Sequence, residues 1–296
     1  MRRPPLQFVL ALLCAIAIAA ARAEAPAACS PASHAQRFGT ASIAYDVAGS
    51  GPVVLLVHGL FADKEQWTAL ACALAAAGFT AIAVDLPGYG ASTGFPLGDY
   101  RLDRQVERLH ALTQRLGVEH LHLAGNSMGG AIAALYASRY PRQVASLAFI
   151  GSPLGIIGWN QPMRDAIFAG FNPFIPVTGA QLELELWLLF ARPPAIPEER
   201  KAALVAGYAS RNRHYVQVWN IVNLYGDVLR QRPAPRVPAL IVWGEQDRVF
   251  SVSGAQRLAR RIPGSAVHTL PDAGHLLHIE SAAAVAPLYV EFLRSK

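Results

Sequence analysis

The sequence predicts an α/β fold: a mostly parallel sheet with helices on both faces and a helical insertion. Three observations carry that prediction. Short runs of β-branched residues and leucine alternate with helix-length segments along most of the chain. The run Val53 to Val57 is apolar without interruption, which marks a strand covered on both faces. Between about Leu154 and Arg236 the alternation stops, and aromatics, prolines and helical patterns replace it.

In order, Ser42 to Val47 reads as a short strand ending at Gly49-Ser50-Gly51-Pro52, and Val53 to Val57 as a buried strand stopping at His58-Gly59. Asp63 with Gln66 forms a capping-box-like start for a helix to Ala77, which Gly78 closes. Thr80 to Val84 is strand, Leu102 to Leu116 helix, Leu121 to Ala124 strand, Ser127 to Arg139 helix and Val144 to Ile150 strand. In the insertion, Leu182, Leu184 and Leu186 alternate like a strand, but the Thr178/Gln181 cap and the following Trp187-Leu188-Leu189-Phe190 favour a helix. The α/β pattern resumes with strand Ala239 to Trp243, helix Ser253 to Arg261, strand Ala266 to Leu270 and helix Ala282 to Leu293. The expected organisation is a signal peptide at 1–23, a core at 24–153, a cap or lid at 154–236 and the rest of the core at 237–296.

The 296 residues are 53% hydrophobic and only 16% charged, which is too apolar for a disordered chain or a charged coiled coil. Arg2 and Arg3 precede an apolar run from Phe8 to Ala21, and Ala21-Arg22-Ala23 places small residues where a signal peptidase reads. That run is shorter than the roughly 20 residues a membrane-spanning helix needs, so a cleaved Sec signal is favoured over an uncleaved anchor. The expected location is the periplasm or the medium. Cleavage would remove three arginines and lower the net charge from +6 to +3, so the basic balance gives no support to nucleic-acid binding. Cys29 and Cys72 would then meet an oxidising compartment. Two readings stay open: a disulfide, or a buried Cys72 thiol with Cys29 in a loose terminal segment.

Gly125-Asn126-Ser127-Met128-Gly129-Gly130 sits between a predicted strand and a predicted helix, the context that gives G-x-S-x-G chemical meaning. A tight turn there projects the Ser127 hydroxyl from the sheet edge and offers the amide of Met128 to a developing oxyanion. His275, in the loop after the last strand, is the candidate base; His278 reads as structural. His58 ends a strand before Gly59 and reads as ordering the oxyanion loop. The acid is expected at a strand end, and Val242-Trp243-Gly244-Glu245-Gln246-Asp247 supplies Asp247, with Glu245 as fallback. The end of the preceding strand, Ile150-Gly151-Ser152-Pro153, has no carboxylate. Asp85 and Asp272 read as loop and turn residues.

These segments, with His58-Gly59-Leu60-Phe61-Ala62-Asp63-Lys64, Asn172-Pro173-Phe174-Ile175-Pro176 and the stretch from Val237-Pro238 to Val252-Ser253-Gly254-Ala255, resemble an α/β-hydrolase-fold serine hydrolase over nearly the whole mature chain. The resemblance is strongest to the monoacylglycerol-lipase-like and bacterial lipase/esterase group. It implies Ser127, Asp247 and His275 as a triad, the amides of Leu60 and Met128 as an oxyanion hole, and hydrolysis of lipid or medium-chain esters without metal or cofactor. Phe61, Phe168, Phe171, Phe174 and Trp187 would line the substrate site, against the plainer reading that the cap aromatics simply pack onto the sheet. The implied partner is a small ester or lipid, and transient contact with a lipid surface stays open.

Two rivals remain. Carbon–carbon bond hydrolases of meta-cleavage type have a similar elbow, but usually carry a tryptophan after the catalytic histidine, where this chain has Leu276. A non-catalytic binding protein on the same fold is disfavoured because nucleophile, acid, base and oxyanion loop are all in place.

Overall fold

The computed structural model describes residues 29–224 and 233–296. The expected signal peptide lies outside the described residues. Eight strands form one sheet: β1 (Ala32–Phe38), β2 (Ala41–Ala48), β3 (Val53–Val57), β4 (Thr80–Val84), β5 (Leu121–Asn126), β6 (Val144–Ile150), β7 (Ala239–Gly244) and β8 (Ala266–Leu270). Their spatial order is β1-β2-β4-β3-β5-β6-β7-β8. β2 runs antiparallel to both β1 and β4, and every other neighbour pair is parallel.

The uninterrupted apolar runs divide between two faces, because successive side chains of a strand point opposite ways. On β3, Val54 and Leu56 join Trp67, Leu70, Leu74 and Tyr289 on one face. Leu55 and Val57 join Leu109, Leu112, Ile132 and Leu135 on the other. The first face is covered by α1 (Thr68–Ala76) and by the C-terminal α10 (Ala282–Arg294), and the second by α2 (Leu102–Arg115) and α3 (Met128–Arg139). Between β6 and β7 the described residues form four helices: α4 (Gln161–Phe168), α5 (Gly179–Leu189), α6 (Glu198–Ser210) and α7 (Asn212–Leu224). After β7 come α8 (Ser253–Arg261) and, following β8, the single turn α9 (Leu277–Glu280).

Three local expectations change. The predicted helix from Asp63 begins as a 3-10 turn over Lys64–Trp67, with the Asp63 carboxylate accepting from the amide of Glu65 rather than Gln66. Thr178 Oγ1 does accept from the Gln181 amide, but Gln181 reaches back to Val177 N. β1 has no counterpart in the predicted elements. Its side chains are mostly exposed, so no buried face writes a pattern into the sequence, and it is held by antiparallel pairing of Ala32–Phe38 with β2.

Cys29, just before β1, forms a disulfide with Cys72 on α1. Of the two readings left open by the sequence, pairing is the one observed. Closing a loop across a separation of 43 residues removes chain entropy from the unfolded state worth about 4 kcal/mol in the loop-closure picture. The bond anchors an edge strand that buries little surface of its own.

Candidate active site

The turn between β5 and α3 puts Ser127 at φ 51° and ψ −119°, a left-handed backbone that a residue with a Cβ adopts only at a cost. The neighbouring glycines make this turn sterically feasible. A Cβ on Gly125 would lie 2.2 Å from the Gly129 carbonyl carbon, and one on Gly129 would lie 2.1 Å from the Val57 oxygen. Ser152 Oγ donates to the Ser127 carbonyl at 2.6 Å, and Ser127 N donates to Ile150 O at 3.3 Å. Thus the end of β6 braces the strained turn.

His275 follows β8 in the loop Pro271 to Leu276 and is 2% exposed. Its Nδ1 donates to Asp247 Oδ2 at 3.0 Å. The other carboxylate oxygen, Asp247 Oδ1, accepts from the amides of Val249 and Phe250, each at 2.9 Å. With Nδ1 committed to the carboxylate, the neutral ring carries its lone pair on Nε2. Asn126 ties the two loops together: its Nδ2 donates to Ile150 O at 2.9 Å and to His275 O at 3.2 Å. Asn126 lies in the serine turn and Ser152 at the end of β6, but nothing local assigns them these roles, because their partners lie far away in the chain.

The remaining titratable candidates lie elsewhere. Glu245 accepts from Thr269 Oγ1 at 2.7 Å in an exposed setting. Asp85 accepts from the amides of Lys64 and Ala91 at 2.7 and 2.8 Å, and so fastens two loops. Asp272 pairs with Arg192 at the surface. The buried ring of His278 lies 4.3 Å, between centroids, from Trp67. His58 is fully buried; its Nε2 accepts from Leu86 N at 3.0 Å, so its Nδ1 is the donor to Gly59 O at 2.7 Å. It thereby fixes the start of the loop Gly59-Leu60-Phe61, in which Phe61 has φ 56°.

Burial pushes the His58 imidazole down to about 4, and burial together with the nearby His275 pushes His278 down to about 3. Between pH 6.5 and 4 the unfolded chain takes up protons that these folded rings refuse, so stability present above pH 6.5 is lost on acidification. Each ring accounts for on the order of 3 kcal/mol by pH 4. Asp85, held up by burial to about 6, and Glu185, whose buried carboxyl stands well above the usual carboxylate range, work in the opposite direction, because the folded chain keeps their protons where the unfolded chain has released them. The histidine share is therefore read by comparison: in urea unfolding from pH 7 to pH 4.5, the stability of His278→Phe should fall less, or rise more, than that of the unmodified protein. An equal change in the two proteins would remove His278 from the account.

Ser127, Met128, Leu60, Phe61 and His275 line one cavity of about 410 Å³, within the range usual for small-molecule sites. Its upper wall comes from the helices between β6 and β7. Trp159, Phe174 and Trp219 line it together with Phe250, the rings forming a connected cluster with centroid separations of 4.6 to 6.1 Å. Phe250 also packs 5.6 Å from the His275 ring.

Of the aromatic residues expected to line a substrate site, Phe61 and Phe174 face this cavity, whereas Phe168, Phe171 and Trp187 are not in its wall. Phe168 ends α4 and is 86% exposed. Trp187 lies on the outer face of α5 beneath the Arg248 guanidinium, 4.6 Å from the ring centre. A run rich in aromatics does not reveal which face of a helix meets the core. The i, i+3, i+4, i+7 spacing of Tyr215, Val218, Trp219 and Val222 on α7 was the readable signal for an inward face.

Residues 52–282 match the family described as alpha/beta hydrolase fold. Monoacylglycerol lipase ABHD6 of Bos taurus is 30% identical over 260 residues, covering 83% of this chain and 77% of the relative. Lipase 3 of Moraxella sp. (strain TA144) is 29% identical over 249 residues, covering 82% and 78%. Among solved structures, a membrane phospholipase A described as a bacterial virulence factor superposes with a TM-score of 0.79 at 31% identity, covering 98% of this chain and 93% of the other. The sheet order, the strained serine turn after the fifth strand and these relationships agree: the chain belongs to the α/β-hydrolase-fold family.

Proposed function

We propose that this protein is a serine hydrolase of carboxylic esters, acting on lipid or medium-chain acyl esters such as monoacylglycerols. The observation that carries this reading is the His275–Asp247 hydrogen bond at a cavity that also contains Ser127 on a strained strand-to-helix turn. Nε2 of His275 takes the proton as Ser127 Oγ attacks the ester carbonyl. The amides of Leu60 and Met128 receive the developing oxyanion, and His58 keeps the loop that carries Leu60 in place. The protonated ring then gives its proton to the departing alkoxide, leaving an acyl-enzyme. A water molecule, activated by the same nitrogen, releases the acid and restores the serine.

The apolar wall of Trp159, Phe174, Trp219 and Phe250 suits an acyl chain, and the segment 154–236 serves as the cap that encloses it. Relatives named monoacylglycerol lipase and lipase support the same class. The Cys29–Cys72 disulfide supports residence in an oxidising compartment, the periplasm or the medium. Among the described residues no helix is long and apolar enough to cross a membrane. The exposed Ile167, Phe168, Trp187 and Leu224 on the cap helices suit transient contact with a lipid surface.

A series of esters differing only in acyl length tests the substrate class. The expected result is kcat/KM rising from acetyl to medium-chain esters; a strict preference for acetyl would overturn the lipid reading while leaving the esterase reading intact.

A further inference from the structure

Two polar side chains in the cavity wall have no hydrogen-bond partner in the protein. Gln66 lies in the 3-10 turn that follows the Gly59–Phe61 loop; it is 2% exposed, and neither its Nε2 nor its Oε1 is bonded. Glu185, on α5, is 3% exposed, and its Oε2 is likewise unbonded. Both border the cavity that contains Ser127 and His275. Leaving a buried polar group unsatisfied costs about 1–3 kcal/mol, and hydrophobic residues of similar size would fit an apolar cavity at no such cost. Two such groups in the wall of one cavity therefore point to a ligand.

The chemistry of the pair indicates which ligand. Burial holds the Glu185 carboxyl well above the usual carboxylate range, with no cation contributing. The group is then a neutral acid that donates through its hydroxyl and accepts through its carbonyl, and the Gln66 amide also does both. A hydroxyl group, itself one donor and an acceptor, matches such a pair. Among the described residues of the wall there is no lysine or arginine, so a phosphate or carboxylate would enter without a counter-charge.

We propose that Gln66 and Glu185 form an uncharged polar subsite that binds a free hydroxyl of the substrate, making partial esters of uncharged polyols the preferred class. This rests on the ester-hydrolase reading above. The aromatic cluster is built on other elements, the segment at Trp159, Phe174, α7 and the loop at Phe250, so one cavity offers separate surfaces to a chain and to a hydroxyl.

The test compares kcat/KM for a medium-chain monoacylglycerol with that for the propyl ester of the same acid. The quantity read is the ratio of the two, in the unmodified protein and in Glu185→Leu, Gln66→Leu and Glu185→Gln. Glu185→Leu replaces a carboxyl that has an unbonded oxygen with an apolar group of similar size, and Glu185→Gln keeps a donor and an acceptor. The ratio is expected to favour the glyceride in the unmodified protein, to fall about tenfold or more in each leucine variant, and to recover largely in Glu185→Gln. A ratio that is the same in both leucine variants as in the unmodified protein overturns the subsite while the hydrolase reading stands. If neither ester is hydrolysed in a Ser127-dependent way, it is the hydrolase reading that fails.

Discussion

Ser127→Ala is expected to abolish ester hydrolysis, lowering turnover on the order of a million-fold while leaving the fold intact. Removing the nucleophile from a concerted serine–histidine unit costs about as much as removing the whole unit, which is why so large an effect is expected from one oxygen atom. Alanine keeps the Cβ at a backbone already held at φ 51°, so the turn carries the same strain before and after the change. The Ser127 carbonyl and amide, bonded to Ser152 and Ile150, are also untouched. Loss of activity in a protein that melts normally therefore reports on the hydroxyl alone. Labelling by a fluorophosphonate probe, competed by substrate in the unmodified protein, should vanish in the variant. Retained hydrolysis would take Ser127 out of the nucleophile role, and absence of labelling in the unmodified protein would favour a binding protein on the same fold.

Asp247→Asn should give the second largest effect, a loss of about 10⁴-fold in kcat with little change in stability. The reason lies in the hydrogen bonds the carboxylate already makes. Its Oδ1 accepts from two backbone amides, of Val249 and Phe250, so in the asparagine variant the amide oxygen is drawn to that side. The NH₂ group then faces His275 Nδ1, where a donor would meet a donor. The ring escapes by moving its proton to Nε2, which can no longer take the proton of Ser127. A kcat pH profile that loses its histidine limb would mark this change of tautomer. Glu245→Gln is the control, since Glu245 bonds Thr269 at an exposed position. Should that change cost as much as Asp247→Asn, the acid would be Glu245 instead.

The contrast between Asp247 and Glu245 shows what the sequence could and could not resolve. Both carboxylates follow the same buried strand, and the local pattern placed an acid at that strand end without distinguishing their surroundings. Their surroundings come from residues 24 and 28 positions away, Thr269 for one and His275 for the other. The turn at Ser127 was legible for the opposite reason. Gly125, Gly129 and the strand and helix around them lie within a few residues, so local sterics write the motif directly into the sequence.

The same division runs through the fold. Strands β3 to β7 were readable because burial on both faces demands largely apolar runs, while the half-buried edge strand β8 was read from its place in the alternation of strands and helices; most of the ends of β3 to β8 fall within a residue or two of the expected positions. The edge strand β1 left no such trace, since its hold is backbone pairing with β2 and a disulfide to a cysteine 43 residues away. In the insertion, the helix that begins after Thr178 was legible from its cap, yet it was packing that turned Phe174 toward the cavity and Phe168 toward solvent.

By itself, then, the sequence determined the α/β architecture, the serine turn and the short set of residues from which a site had to be drawn, because each depends on sterics and burial periodicity over a few neighbouring positions. Only the tertiary structure decided which of those residues meet. The bridge from Asn126 to the His275 loop spans 149 positions, and Gln66 and Glu185 reach the same cavity from the turn after β3 and from α5. Contacts of that range are set by how whole layers pack, and no local pattern encodes them.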